Sequence, residues 1–127
     1  MILETTFAID FLRGKPEAIA LRARLQEEEQ LLLAAPTVME LWDGATRRGG
    51  SREKNAVGLF TASVEILPLD SASAKTAGEV IANAARKGIV ISPTDAMIAA
   101  IALTKNETLV TRDSDYSKIP GLKLLKY

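Results

Sequence analysis

The stretch Met1-Ile2-Leu3-Glu4-Thr5-Thr6-Phe7-Ala8-Ile9-Asp10-Phe11-Leu12-Arg13-Gly14 opens the chain and decides how the rest is read. Ile2-Leu3 is a short apolar run of strand character. Phe7, Ile9, Phe11 and Leu12 then suggest a helical turn, which Arg13-Gly14 ends. Glu4 stands at the junction. It is either a solvated strand end or one member of a catalytic pocket, and the choice depends on whether other acids come to lie beside it.

Working outward, strands and helices alternate. Pro16 to Glu29 carries Ile19, Leu21 and Leu25 between charged residues, an amphipathic helix with proline in its first turn. Leu31 to Ala35 has the length of a strand, Thr37 to Arg48 reads as a helix closed by Gly49-Gly50, and Glu53 to Ala62 as another. Val64 to Leu67 is a strand that stops at Pro68, and the alanine-rich segment from Ser71 to Lys87 is a long helix stopped by Gly88. Ile89-Val90-Ile91 is too short to assign and leads into Ser92-Pro93-Thr94-Asp95 and a helix through Leu103. Thr108 to Val110 and Lys123 to Leu125 are the closing strands. Such alternation predicts an α/β domain with a parallel sheet covered by helices on both faces. Ligands then bind beyond the carboxyl ends of the strands. No repeat or linker divides the chain, so residues 1–127 are expected to form one domain.

Composition narrows the chemistry. Sixteen basic and sixteen acidic residues cancel, so any affinity for nucleic acid must come from a local patch. The absence of cysteine and histidine removes disulfides, thiol nucleophiles, the usual zinc sites and every histidine-based triad. Carboxylates, lysines, arginines and hydroxyls remain, which suit hard, oxygen-ligated metals. The N-terminus lacks the basic flank of a signal peptide, and the apolar stretch from Ala96 to Leu103 is far short of a membrane span. A soluble, cytoplasmic protein is expected.

Acids recur at the strand ends: Glu4, Glu40, Asp95, and Asp113 with Asp115. Each has a purely structural explanation. Thr37-Val38-Met39-Glu40 fits a capping box. Ser92-Pro93-Thr94-Asp95 fits a serine cap with proline in the first turn. Asp113-Ser114-Asp115 fits a turn. Yet all fall on the same rim of a parallel sheet, where gathered carboxylates repel one another unless a cation lies between them. Such a group is an oxygen cage for Mg²⁺ or Mn²⁺, able to polarise a phosphodiester and to help make hydroxide from water.

These segments, in this order, resemble the PIN-domain ribonucleases, and most closely the VapC toxins of toxin–antitoxin pairs. The opening stretch is similar to the family's first motif, Pro36-Thr37-Val38-Met39-Glu40-Leu41 to its second, and Ile91-Ser92-Pro93-Thr94-Asp95-Ala96-Met97-Ile98-Ala99-Ala100 to its third. Leu109-Val110-Thr111-Arg112-Asp113-Ser114-Asp115-Tyr116, followed by Ile119-Pro120-Gly121-Leu122, resembles its closing segment. The resemblance implies a three-layer α/β/α sandwich with a mostly parallel sheet. It further implies Mg²⁺- or Mn²⁺-dependent cleavage of RNA, homodimers, and a VapB-like antitoxin that blocks the site. By position, Glu4, Glu40, Asp95 and Asp113 would form the acidic pocket, with Asp115 either an outer acid or a sharer of the Asp113 role. Thr5, Thr6 and Thr111 would orient the carboxylates.

The chain departs from the family at Glu4, where aspartate is usual. The side chain is longer by one methylene, roughly 1.5 Å, against a metal that demands near-ideal geometry. A catalytically weak PIN-like module that acts by binding protein or RNA is therefore the alternative. An α/β phosphatase would need a nucleophilic aspartate close after the first strand, where only Asp10 offers itself. Asp10 is expected to be a solvated surface acid. Trp42, Leu41, Phe60 and Leu59 are expected in the core rather than at a dimer seam or against an antitoxin helix, and Arg47, Arg48, Arg52, Lys54, Arg86 and Lys87 on solvated faces unless they track RNA.

Overall fold

The sidedness of a few strand residues builds two cores in the computed structural model, which describes residues 1–127. The strands are β1 (Ile2–Leu3), β2 (Leu32–Ala34), β3 (Glu65–Leu67), β4 (Leu109–Thr111) and β5 (Leu124–Lys126). They form one sheet in the order β3-β2-β1-β4-β5, parallel throughout. In register, Ile2 pairs with Leu32 and Leu109, and Leu3 with Val110. Side chains alternate across a strand. Ile2, Leu32, Ala34 and Leu109 therefore face one layer, while Leu3, Leu33 and Val110 face the other.

The first layer consists of α5 (Ser71–Arg86) and α6 (Pro93–Lys105). Ala96 and the run Ile98 to Ala102 are all buried, so α6 is covered nearly all round, as a central helix must be. The second layer contains α1 (Thr5–Leu12), α2 (Pro16–Glu28), α3 (Ala35–Arg48) and α4 (Ser51–Ala62). The arrangement is the expected three-layer α/β/α sandwich, with a sheet that is wholly parallel. Each fully buried leucine or isoleucine contributes roughly 1.5–3 kcal/mol, which lets strands this short hold together between two helical layers.

Helix ends follow local chemistry. The Ser92 hydroxyl caps α6 by accepting the Asp95 N–H at 3.2 Å, with Pro93 in the first turn. Asp70 and Ser73 cap α5 reciprocally. Gly49 ends α3 at φ +73°, where a side chain would be strained. The expected capping box at Thr37 and Glu40 does not form. Helix α3 starts earlier, at Ala35 with Pro36 in its first turn, so Thr37 lies inside the helix and its hydroxyl is not a cap. Ile89-Val90-Ile91 makes no strand.

Two further expectations are corrected. Leu41 and Phe60 are buried, but Trp42 is 46% exposed and Leu59 77% exposed, because each lies one position off the buried stripe of its helix, Leu41 and Ala45 on α3 and Val57 and Phe60 on α4. Asp10 is 1% exposed and is not a surface acid. Its carboxylate accepts hydrogen bonds from Arg112 Nε at 2.6 Å and Tyr127 Oη at 2.8 Å and pairs with Lys15 Nζ at 2.8 Å. These partners hold it well below the ordinary aspartate range despite its burial.

From β1 the chain first builds outward through β2 to β3, then crosses to the other side of β1 to add β4 and β5. The switch lies between β1 and β4, whose carboxyl ends carry Glu4 and Thr111. The Glu4 N–H donates to Val110 O at 3.0 Å across this junction. In an open parallel sheet, this is where a binding crevice forms.

Candidate metal centre

Glu4 leaves β1 as the N-cap of α1, in extended conformation, and its side chain is buried. Its Oε2 accepts three hydrogen bonds: the Thr6 N–H at 2.9 Å, the Thr6 hydroxyl at 2.5 Å and the Thr111 hydroxyl at 2.7 Å. The extra methylene thus has a visible use. It lets the carboxylate curl back over its own helix start while still reaching the end of β4. Oε1 is left facing the Tyr116 hydroxyl at 3.4 Å.

Asp95 projects from the first turn of α6 and accepts a hydrogen bond from that same Tyr116 hydroxyl at 3.0 Å on Oδ1. Glu40, in α3, accepts the Thr5 hydroxyl at 2.6 Å on Oε1, and Thr5 Oγ1 also lies 3.1 Å from Thr37 Oγ1. Burial pushes the Glu4 carboxyl up, against the donors Thr6 and Thr111, and the charge of Asp95 adds to the rise. Burial likewise raises Glu40, with Asp95 and Glu4 adding and Thr5 opposing. Glu4, Glu40 and Asp95 are therefore close enough to feel one another.

Asp113 and Asp115 are not drawn into this group. Asp113 caps the short 3₁₀ helix Ser114–Lys118, its Oδ1 accepting the Asp115 N–H at 2.9 Å, while Asp115 pairs with Lys118 at 3.0 Å. Asp113 is linked to the group through one hydroxyl, since its N–H donates to Thr111 Oγ1 at 3.0 Å. Glu4, Glu40 and Asp95 take part in none of the five ion pairs in the molecule. No three acids converge tightly enough to enclose an ion as the side chains stand. The donor set nevertheless suits a hard divalent cation, because it is all oxygen, rich in negative charge and without a basic partner.

The expected orienting roles for Thr5, Thr6 and Thr111 match contacts in the structure, whereas nothing in the sequence points to Tyr116. Its ring is buried in the core that includes α5 and α6. In the sequence it is one aromatic residue after a turn, with nothing to mark its hydroxyl as aimed at two acids. Beside Glu40, a groove of about 170 Å³ runs between α1, α3 and α4, with Ile9, Leu12 and Val57 on its walls and Arg13 and Arg48 among its charged residues.

A parallel α/β sandwich with carboxylates lacking basic partners at its topological switch defines an α/β protein with an acidic candidate site. Comparison with known proteins makes the assignment specific. The PIN domain family model matches residues 1–122. The chain is 31% identical to the tRNA(fMet)-specific endonuclease VapC of Salmonella typhimurium, over 97% of this chain and 94% of that protein. Among solved structures, DNA-bound VapBC from Salmonella typhimurium matches with a TM-score of 0.89 at 31% identity, covering 98% of this chain and 96% of that one. A VapBC2 complex from Rickettsia felis, bound to a DNA fragment from its promoter, shares the fold with a TM-score of 0.90 at 21% identity, covering 99% and 97% of the two chains. The chain belongs to the PIN-domain family, in its VapC toxin ribonuclease branch.

Proposed function

We propose that this protein is a Mg²⁺- or Mn²⁺-dependent endoribonuclease and the toxin of a toxin–antitoxin pair. The observation that carries the reading is the set of three interacting carboxylates, Glu4, Glu40 and Asp95, without a basic partner at the switch of the sheet. These residues would hold the ion, and Asp113, tied to them only through the Thr111 hydroxyl, would join them only by giving up its cap of the 3₁₀ helix. When bound, the metal would polarise the phosphodiester and lower the pKa of water.

The protein's own groups do the positioning. Thr6 and Thr111 fix one oxygen of Glu4, Thr5 fixes one of Glu40, and the start of α6 presents Asp95. Arg13 and Arg48, in the groove beside Glu40, would take phosphates of an RNA strand, which the net charge of zero would not attract by itself. The Salmonella relative makes tRNA the first substrate class to test. The VapBC neighbours make a VapB-like antitoxin the expected protein partner. We further propose a single domain, a homodimer and a cytoplasmic location; no helix is long and apolar enough to cross a membrane.

The test is RNA cleavage with and without Mn²⁺. Asp95→Asn should lose activity by about 10²-fold or more, the order seen when a reacting group is misplaced. Cleavage indifferent to metal, or none under any divalent ion, would overturn the reading. The use of the Asp113 carboxylate as the cap of the 3₁₀ helix favours one second reading: a module with weak catalysis that acts by holding a partner. It predicts tight antitoxin binding with no RNA cleavage at any Mn²⁺ concentration.

A further inference from the structure

The Tyr116 hydroxyl is the one phenol in the candidate centre, and it spans two acids from different layers of the fold. It lies 3.0 Å from Asp95 Oδ1 and 3.4 Å from Glu4 Oε1. A phenol has a single proton, so it satisfies one of the two oxygens at a time, and the shorter contact assigns that proton to Asp95. The other oxygen of Glu4 is already saturated by Thr6 and Thr111. Tyr116 is thus the donor available to the inner edge of the Glu4–Asp95 pair. Its ring is 1% exposed and packed in the core, so the hydroxyl cannot swing away to water.

We infer that Tyr116 is a positioning residue that stands in for the cation, holding Glu4 and Asp95 together in the metal-free protein and competing with a divalent ion for the oxygens it faces. Glu4 and Asp95 would hold a cation through the same carboxylates that the phenol faces, so the phenol's hydrogen bond to Asp95 would compete with it. Such a group has two opposite effects. It relieves carboxylate repulsion in the empty centre and weakens metal uptake. A residue that merely filled space would have neither effect through its hydroxyl.

Because this role presupposes that the acids take a cation, the experiment separates the two ideas. Mn²⁺ is titrated calorimetrically into the full chain and into Tyr116→Phe, which keeps the ring, and both are melted in EDTA and in Mn²⁺. Tyr116→Phe should bind Mn²⁺ about tenfold more tightly, the worth of one hydrogen bond to a charged group. It should also melt lower in EDTA and show the larger rise on adding Mn²⁺. Equal or weaker Mn²⁺ binding by Tyr116→Phe, with the parent binding normally, would overturn the role of Tyr116 alone. Failure of both chains to bind Mn²⁺ would overturn the metal-dependent reading itself. A second measurement avoids the variant. Adding Mn²⁺ to the parent should produce a tyrosine difference spectrum that persists in Tyr127→Phe, since Tyr127 is the only other tyrosine. No spectral change would count against the inference.

Discussion

Replacing Asp10 by asparagine should destabilise the fold strongly at neutral pH and progressively less as the pH falls below about 4. The carboxylate accepts from Arg112 at 2.6 and 3.3 Å and from Tyr127 at 2.8 Å, and pairs with Lys15 at 2.8 Å. Hydrogen bonds to charged groups contribute about 1.5–3 kcal/mol each. The Arg112 and Lys15 side chains are 46% and 40% exposed, so water recovers much of what they lose, and Asp10 itself is costly to bury. Asparagine keeps the volume and one acceptor but turns an amide N–H₂ toward donors. The net loss is then about 2–3 kcal/mol. For a chain of 127 residues this lowers Tm by roughly 8–12 °C.

The pH dependence has a definite sign. The Asp10 carboxyl is lowered from its ordinary value of 3.8, so its contribution is fully present above that value and fades as pH falls toward the folded-state pKa. The gap between parent and variant should be constant from pH 7 to about pH 5 and shrink below about pH 4. Urea unfolding followed by far-UV circular dichroism across that range measures it. A variant within about 0.5 kcal/mol of the parent at pH 7, the usual scatter of surface changes, would refute the reasoning. So would a gap that stays constant into acid.

Three other outcomes follow from the same geometry. Glu4→Asp cannot both cap α1 through Thr6 and reach Thr111, so Tm should fall by a few degrees and RNA cleavage should not rise; a tenfold gain would show the glutamate to be the poorer side chain for this site. Thr5→Val removes the donor that opposes the upward shift of Glu40, so the acid limb of the cleavage pH–rate profile should move to higher pH, and an unmoved limb would separate Glu40 from the reaction. Gly49→Ala places a side chain at φ +73° and should cost about 1 kcal/mol in urea unfolding without altering Mn²⁺ binding; a neutral effect would mean that the turn relaxes.

The acids at strand ends were legible because a parallel α/β chain must present those positions on one rim. Glu4 and Glu40 could be picked out in this way, and the serine cap before Asp95 was legible from its spacing. Asp95 itself follows no strand, because Ile89-Val90-Ile91 forms none, and it is α6 that carries it to the site. What each carboxylate does with its second oxygen was not legible. Thr37 and Glu40 show the problem: their spacing fits a capping box, but the helix begins at Ala35, and Glu40 turns to Thr5 on α1 instead. Local patterns compete with contacts made across layers, and spacing along one helix carries no record of those contacts.

Asp10 and Tyr116 fall wholly on the far side of that divide. Asp10 lies on α1, yet its burial depends on Arg112, 102 residues away, and on Tyr127, 117 residues away. The hydroxyl of Tyr116 matters only because β1, α6 and the 3₁₀ helix bring Glu4 and Asp95 to it. Alternating strands and helices, strand-face patterning, helix stops and the supply of oxygen ligands are determined by the sequence itself, since they rest on backbone geometry and near neighbours. Which acids lose their solvent, which find donors and which are left without a positive partner is decided by tertiary structure. Desolvation and Coulomb repulsion act through space between groups that the chain keeps far apart.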